Sequence, residues 1–99
     1  MTIHDSREGN TLTVALEGRL DTLTSHELED YLNKTIDTAD RLIFDLEKLE
    51  YISSAGLRVI LRSYKIFQSR GGIVIRHPQK AVMSVFELSG FKNTMKIEP

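Results

Sequence analysis

Near the N-terminus, hydrophobic and polar residues alternate, and further along the chain the spacing changes to that of amphipathic helices. Leu12, Val14 and Leu16 alternate with polar neighbours, which predicts a half-buried β-strand. The Glu-Gly-Asn segment that precedes this strand is typical of a tight turn. Residues 2–6 are therefore predicted to form the first arm of a β-hairpin, whose second arm ends within residues 18–21.

Three later segments have the spacing of helices. A helix is predicted over residues 24–39, with Thr24 and Glu27 forming a capping box at its start. Further helices are predicted over residues 54–69 and residues 79–88, because apolar residues recur there every three or four positions. The residues expected to face the core are Leu28, Tyr31, Leu32, Thr35, Ile36, Leu57, Ile60, Leu61, Tyr64, Phe67, Ala81, Val82, Val85 and Phe86.

Three further strands complete the predicted fold. Residues 42–46 are apolar on both faces, as expected for an interior, largely parallel strand. Residues 73–75 are β-branched and form a second interior candidate, and residues 95–97 form the last strand. The order β-β-α-β-α-β-α-β predicts a single α/β domain over residues 1–99, with a mixed, largely parallel sheet of four to five strands and three or more packed helices.

Composition narrows the classes of function. The chain has 99 residues, of which 40% are hydrophobic and 27% charged; its formal net charge of −1 gives no indication of direct binding to nucleic acid. No apolar stretch has the length of a membrane span, and the N-terminus lacks the basic and then apolar pattern of a secretory signal. The absence of cysteine agrees with a cytoplasmic location and leaves no thiolate metal site.

The chain carries no motif for autonomous catalysis, so we expect no enzyme activity, cofactor or metal. Gly18, the only glycine in the first strand-to-helix loop, matches neither the dinucleotide fingerprint nor the P-loop. A nucleophilic Ser54 would need glycine two residues before it, and Ile52 occupies that position. The three histidines have no metal-ligand spacing.

The most informative segment is Ser53-Ser54-Ala55-Gly56, where a buried strand gives way to an amphipathic helix. Serine is a preferred N-cap, and such a cap contributes about 1 kcal/mol. A helix N-terminus also stabilises a phosphate, because its dipole and its unpaired N–H groups favour negative charge. One serine suffices for capping, and Ala55 and Gly56 are small enough to leave room for an approaching surface. The segment is therefore either a cap alone or also a contact or modification site.

The string LIFDLEKLEYISSAGLRVIL, residues 42–61, resembles the STAS domain of bacterial anti-sigma-factor antagonists. LEGRLDTLTS, GGIVI and VFELSGF resemble other parts of that domain, so the resemblance covers nearly the whole chain. It implies that Ser54 is the serine phosphorylated by a partner kinase, with Ser53, where many members have aspartate, as the alternative acceptor. It also implies an acidic position at Asp21 near that serine, for which partner binding and helix capping both remain open.

The resemblance implies a non-enzymatic switch in transcription regulation. The unphosphorylated antagonist binds an anti-sigma factor, often a serine kinase, which then releases a sigma factor; serine phosphorylation inactivates the antagonist, and a serine phosphatase resets it. We expect a monomer or weak dimer in the cytoplasm, without direct contact with nucleic acid or membrane. One alternative is a STAS adaptor or scaffold in another signalling or lipid-transport complex, without phosphorylation. Another is a nucleotide-binding or hydrolytic protein, against which the lack of a phosphate-binding loop speaks.

The partner is expected to contact eight residues: Asp21, Ser53, Ser54, Ala55, Gly56, Arg58, Val59 and Arg62. Among them, Val59 belongs with Ser63 and Ile66 to a row beside the core stripe of the second helix. This row is either a solvated face with occasional apolar residues or an extension of the binding patch. In the second case, Val59→Asp is expected to weaken the complex without unfolding the domain.

Overall fold

The structure, a computed structural model, describes residues 1–91 and 94–99. It begins with the predicted hairpin, in which β1 (Thr2–Glu8) and β2 (Thr11–Leu20) pair in antiparallel orientation. The turn between them uses Gly9, whose φ of 60° lies in the left-handed region that glycine adopts at little cost. The second arm ends at Leu20, within the range 18–21 in which the sequence predicts its end.

The rest of the described chain alternates between helix and strand, as predicted. Its elements are α1 (Thr22–Thr35), a short 3-10 turn (Ile36–Thr38), β3 (Arg41–Ile52), α2 (Ser54–Phe67), β4 (Gly72–Arg76), α3 (Lys80–Leu88) and β5 (Lys96–Glu98). The strands form one sheet in the order β1-β2-β3-β4-β5. Among the strand pairs of the described residues, β1–β2 is antiparallel and the other three are parallel. The prediction of a single, largely parallel α/β domain is confirmed.

A single hydrophobic core lies between the sheet and the helices. Its fully buried phenylalanines, Phe44, Phe67 and Phe86, come from β3, α2 and α3, and α1 adds Leu28 and Leu32. Because all three helices contribute to the same cluster, they cover the same face of the sheet, as right-handed crossovers between neighbouring parallel strands require. Most residues predicted to face inward are buried or packed against this core.

Ala81 is an exception, because it is exposed. Val82 and Phe86, four residues apart, form the inward row of α3, and Ala81 lies about 100° around the helix from Val82.

The start of α1 differs from the predicted one. The helix begins at Thr22 with Asp21 as its N-cap, and Thr24 is the third helical residue rather than the cap. The capping box joins Asp21 and Thr24, not Thr24 and Glu27. Threonine takes the role usually given to glutamate at this position, because its hydroxyl accepts a hydrogen bond from the Asp21 backbone N–H at 2.8 Å.

Strand β3 is also longer than predicted. The polar stretch after residue 46 continues the strand as far as Ile52, and two irregularities in its register with β2 each insert one extra residue in β3. These bulges keep Leu49 and Ile52 buried on the core side, so the polar residues between them do not end the strand. As a result, β2 and β3 end side by side, with Leu20 paired to Ile52.

Candidate functional site

Two helices begin next to each other where β2 and β3 end. The backbone N–H of Ser53 donates to the carbonyl oxygen of Leu20 at 2.8 Å, which joins the two strand-to-helix junctions directly. We call the surface formed by Asp21, Thr22, Leu23, Ser53 and Ser54 the helix-start surface. The two N-termini bring unpaired backbone N–H groups and the positive ends of two helix dipoles to one edge of the sheet.

The two adjacent serines have different roles. Ser53 is the N-cap of α2, and its Oγ accepts a hydrogen bond from the Gly56 backbone N–H at 3.2 Å. Ser54 is the first helical residue and is exposed. Its hydroxyl has no hydrogen-bond partner within the described part of the chain. The cap therefore needs only Ser53, and the Ser54 hydroxyl remains available to a second molecule.

Asp21 caps α1 with its carboxylate. Oδ1 accepts hydrogen bonds from the backbone N–H groups of Leu23 at 3.1 Å and Thr24 at 3.0 Å. The backbone and side-chain hydrogen bonds from Thr24, helped by the Leu23 N–H and the charge of Arg19, lower the pKa of Asp21. Of the two roles left open for Asp21, capping is present in the structure, and partner binding stays a prediction.

Gly56 is buried, and the expectation that it leaves room for an approaching surface is wrong. A Cβ atom at this position would lie 2.6 Å from Cγ of Leu20 and 3.0 Å from the Leu20 carbonyl oxygen. The absence of a side chain lets α2 approach the end of β2. Gly56 therefore supports the site from inside the protein and offers no side chain to a partner.

A groove of about 370 Å³ separates α1 from α2 beside the helix-start surface, and its lining includes four of the predicted partner-binding residues. Three come from the first two turns of α2 and one from the third: Ala55, Arg58, Val59 and Arg62. The opposite wall is formed by α1, through Thr22, Ser25, His26 and Glu29. These α1 residues were missed in the sequence, because the pattern within one helix does not show which helix packs beside it.

The two arginines of the groove differ in their partners. Arg62 lies 3.7 Å from a carboxylate oxygen of Glu29 and donates to Asn33 Oδ1 at 3.2 Å, so it is tied to α1. Arg58 is exposed, and within the described residues its guanidinium forms no ion pair. It is therefore the cation of this groove that is available to an incoming acidic group.

The row formed by Val59, Ser63 and Ile66 is not a solvated face. Val59 is only 7% exposed, Ser63 is buried with its Oγ donating to the Val59 carbonyl oxygen, and Ile66 packs against the core. The interpretation as a solvated face is wrong, because Val59 and Ser63 are buried. The extension of the binding patch stays a prediction, and Val59 lines the groove between α1 and α2. An aspartate at position 59 would carry its charge into the core, so this substitution cannot test partner binding separately from folding.

The described residues bring no further reactive cluster together. Among them, no three His, Asp or Glu side chains converge in a way that could hold a metal ion. None of the described helices combines the length and apolar character that crossing a membrane requires.

Comparison with known proteins agrees with this architecture. A family model described as the STAS domain matches residues 3–99. A candidate anti-sigma factor antagonist of Bordetella bronchiseptica, BtrV, is 39% identical over 82 residues, which cover 81% of this chain and 71% of BtrV.

Solved structures have the same fold. The crystal structure of an anti-sigma factor antagonist from Mycobacterium paratuberculosis superposes with a TM-score of 0.90 at 22% identity, over 99% of this chain and 85% of that one. The anti-sigma factor antagonist SpoIIAA in its unphosphorylated form superposes with a TM-score of 0.84 at 20% identity, over 97% of this chain and 87% of SpoIIAA. The phosphorylated form of SpoIIAA, from Bacillus, gives 0.77 at 19% identity, over 97% of this chain and 90% of that one.

The family match spans nearly the whole chain, and BtrV is identical to it at more than a third of the aligned positions. The chain therefore belongs to the STAS-domain family of anti-sigma factor antagonists.

Proposed function

We propose that this protein is a partner switch controlled by phosphorylation of Ser54. In its unphosphorylated form it binds an anti-sigma factor that is also a serine kinase, and this binding frees a sigma factor. Transfer of the γ-phosphoryl group of ATP to the Ser54 hydroxyl, with release of ADP and a proton, ends the interaction. The observation that carries the proposal is the exposed Ser54 hydroxyl, which has no partner within the described residues.

The physical effect of the phosphate falls on recognition rather than on folding. Phosphorylation adds about −1.5 to −2 charges at neutral pH. The start of α2 tolerates this charge, because the helix dipole and the free N–H groups favour an anion there. A partner surface that fits a hydroxyl would instead have to desolvate a dianion, which is costly unless it supplies matching cations. SpoIIAA has been solved in an unphosphorylated and a phosphorylated form, which supports a switch of this kind in the family.

We also propose the remaining steps and properties that are usual in this family. A serine phosphatase resets the switch, and the protein itself catalyses no reaction. It acts in the cytoplasm as a monomer or weak dimer, without direct contact with nucleic acid. Of the eight residues expected to contact the partner, the exposed side chains of Ser54, Arg58 and Arg62 form the surface, with Asp21 beside them. Ser53, Ala55, Gly56 and Val59 support that surface.

The first prediction concerns the acceptor. After incubation with ATP, magnesium and the proposed partner, an anti-sigma factor that is also a serine kinase, we expect the intact mass to increase by one phosphate. Ser54→Ala removes this increase, because it deletes the only free hydroxyl of the pair. Ser53→Ala keeps it and lowers the stability by about 1 kcal/mol, because the N-cap is lost.

The same assay distinguishes the remaining alternatives. A phosphate that persists in Ser54→Ala and disappears in Ser53→Ala would contradict the assignment of the acceptor. Wild-type protein that binds the kinase and gains no phosphate would instead favour an adaptor or scaffold without phosphorylation.

A further inference from the structure

Large apolar side chains are exposed at only three positions in the described part of the chain. They are Leu23 at 79%, Tyr51 at 40% and Leu88 at 90% exposure. Leu23 belongs to the helix-start surface, and Tyr51 lies at the end of β3 just before it. Leu88 is in the last turn of α3, which runs back from the end of β4, so it lies at the opposite end of the sheet. Two of the three therefore lie at the same end as Ser54.

Leu23 is held in place by backbone contacts and does not serve the core. It is the second residue of α1, and its N–H donates to the Asp21 carboxylate at 3.1 Å, so the helix cap fixes the backbone that carries it. It precedes the buried Ser25 by two positions, which turns it about 200° around the helix and away from the core. Leu23 therefore projects into solvent from the first turn of α1, at the end of the sheet where the helix-start surface lies.

An anchor of this kind fits what is known of interfaces in general. Interfaces have an apolar centre surrounded by a polar rim, and a few well-packed side chains carry most of the binding energy. Here the other residues of the helix-start surface, Asp21, Thr22, Ser53 and Ser54, are polar. Because the cap fixes the backbone that carries Leu23, binding does not have to order this turn of the chain, which favours affinity.

We propose that Leu23 is the apolar anchor of the interface with the anti-sigma factor, inserting into an apolar depression of that partner. This inference rests on the proposed function. The occupant follows from continuity, because the hydrogen bond between Ser53 and Leu20 places the start of α1 directly beside the start of α2. A protein that covers Ser54 closely enough to sense a phosphate must also cover the first turn of α1. The interface thus extends from α2 onto α1.

The test compares two leucines of the same exposure class. Leu23→Ala is expected to weaken binding of the purified kinase by about thirtyfold in a titration, as removal of a hot-spot side chain does. Leu88→Ala is the matched control and is expected to leave the dissociation constant within about twofold, as surface changes away from an interface do. Both variants should melt like the wild type, because neither side chain packs in the core.

Each outcome has a distinct meaning. Equal dissociation constants for Leu23→Ala and the wild type, with Ser54→Asp still abolishing binding, would overturn the anchor and leave the proposed function intact. Equal weakening by Leu23→Ala and Leu88→Ala would also overturn it, because the effect would not belong to the helix-start surface. Wild-type protein that does not bind the kinase would overturn both proposals.

Discussion

Ser53 and Ser54 are chemically identical neighbours that the fold uses differently. The N-cap position has extended backbone angles, φ −90° and ψ 172°, which direct the Ser53 hydroxyl back to the Gly56 N–H. The next residue already has helical geometry, and its hydroxyl points away from the helix interior to solvent. Ser53 caps the helix and Ser54 stays free because the backbone changes from extended to helical between these two residues. Asp21 is a second cap of the same kind, with a charge that titrates.

The second prediction concerns this charge. The lowered pKa of Asp21 means that its ionised form stabilises the fold above the ordinary value of 3.8, and that this contribution is lost as the pH falls through the folded-state pKa. Asp21→Asn keeps a good N-cap but cannot titrate. The difference in the free energy of unfolding between wild type and Asp21→Asn should therefore stay constant near neutral pH and narrow in strong acid.

Denaturant titrations at a series of pH values measure this difference. Asp30→Asn, at an exposed position of the same helix, controls for the loss of one negative charge. A difference that does not depend on pH would contradict the role of the Asp21 carboxylate as a charged cap.

The closeness of α2 to β2 is the main feature at the scale of elements. Helix α2 carries a glycine in its first turn, where alanine would favour the helix by up to about 1 kcal/mol. The packing against Leu20 overrides this preference, because there is no space for a Cβ atom. Close approach of α2 to β2 sets the position of Ser54 relative to α1. Glycine therefore occupies position 56, despite its low helix propensity, because a larger residue would clash with Leu20.

The third prediction concerns this packing. Gly56→Ala is expected to lower the free energy of unfolding by about 1 to 3 kcal/mol, the usual cost of an overpacked site, although alanine favours helix. Two of the three nearest atoms belong to the Leu20 side chain. The same change should therefore cost less in a Leu20→Ala background, which a double-mutant cycle from denaturant titrations would measure. Wild-type stability for Gly56→Ala would contradict the close approach.

At the scale of the whole molecule, the core and the proposed switch are separate. The helices and the sheet enclose one core on one face, whereas the helix-start surface lies at the end where β2 and β3 stop. The opposite end is held by arginines: Arg7 donates to the Thr38 carbonyl oxygen at 2.6 Å, and Arg70 donates to that of Ile36 at 2.7 Å. A charge added at Ser54 therefore meets solvent and a helix dipole, not the packed interior.

The fourth prediction follows from this separation. Ser54→Asp should abolish capture of the kinase while the melting temperature and helicity stay close to those of the wild type, because a negative charge in the first turn is compatible with the dipole. Changes in backbone amide shifts should be confined to the helix-start surface and the adjoining groove. Amides of β4 serve as the internal control. Shift changes spread over the sheet, or a large fall in melting temperature, would show that the charge acts through the fold.

The sequence by itself determined the order of elements, the hairpin, the interior position of β3 and most of the inward stripes. These features depend on periodicity and turn chemistry within short segments, which the chain carries locally. The motif around Ser54 also indicated the family and the candidate serine.

Only the tertiary structure decided which serine caps α2, why Gly56 is glycine, where α1 begins, and that Val59 is buried. It also showed Leu23 as an exposed side chain at the start of α1, which begins next to α2, and no local pattern had indicated this. Each of these facts depends on atoms from a different element, such as Leu20 against Gly56 or α1 against Val59. Local periodicity specifies which way a side chain faces, but the distance to its neighbours is fixed only when the elements pack together.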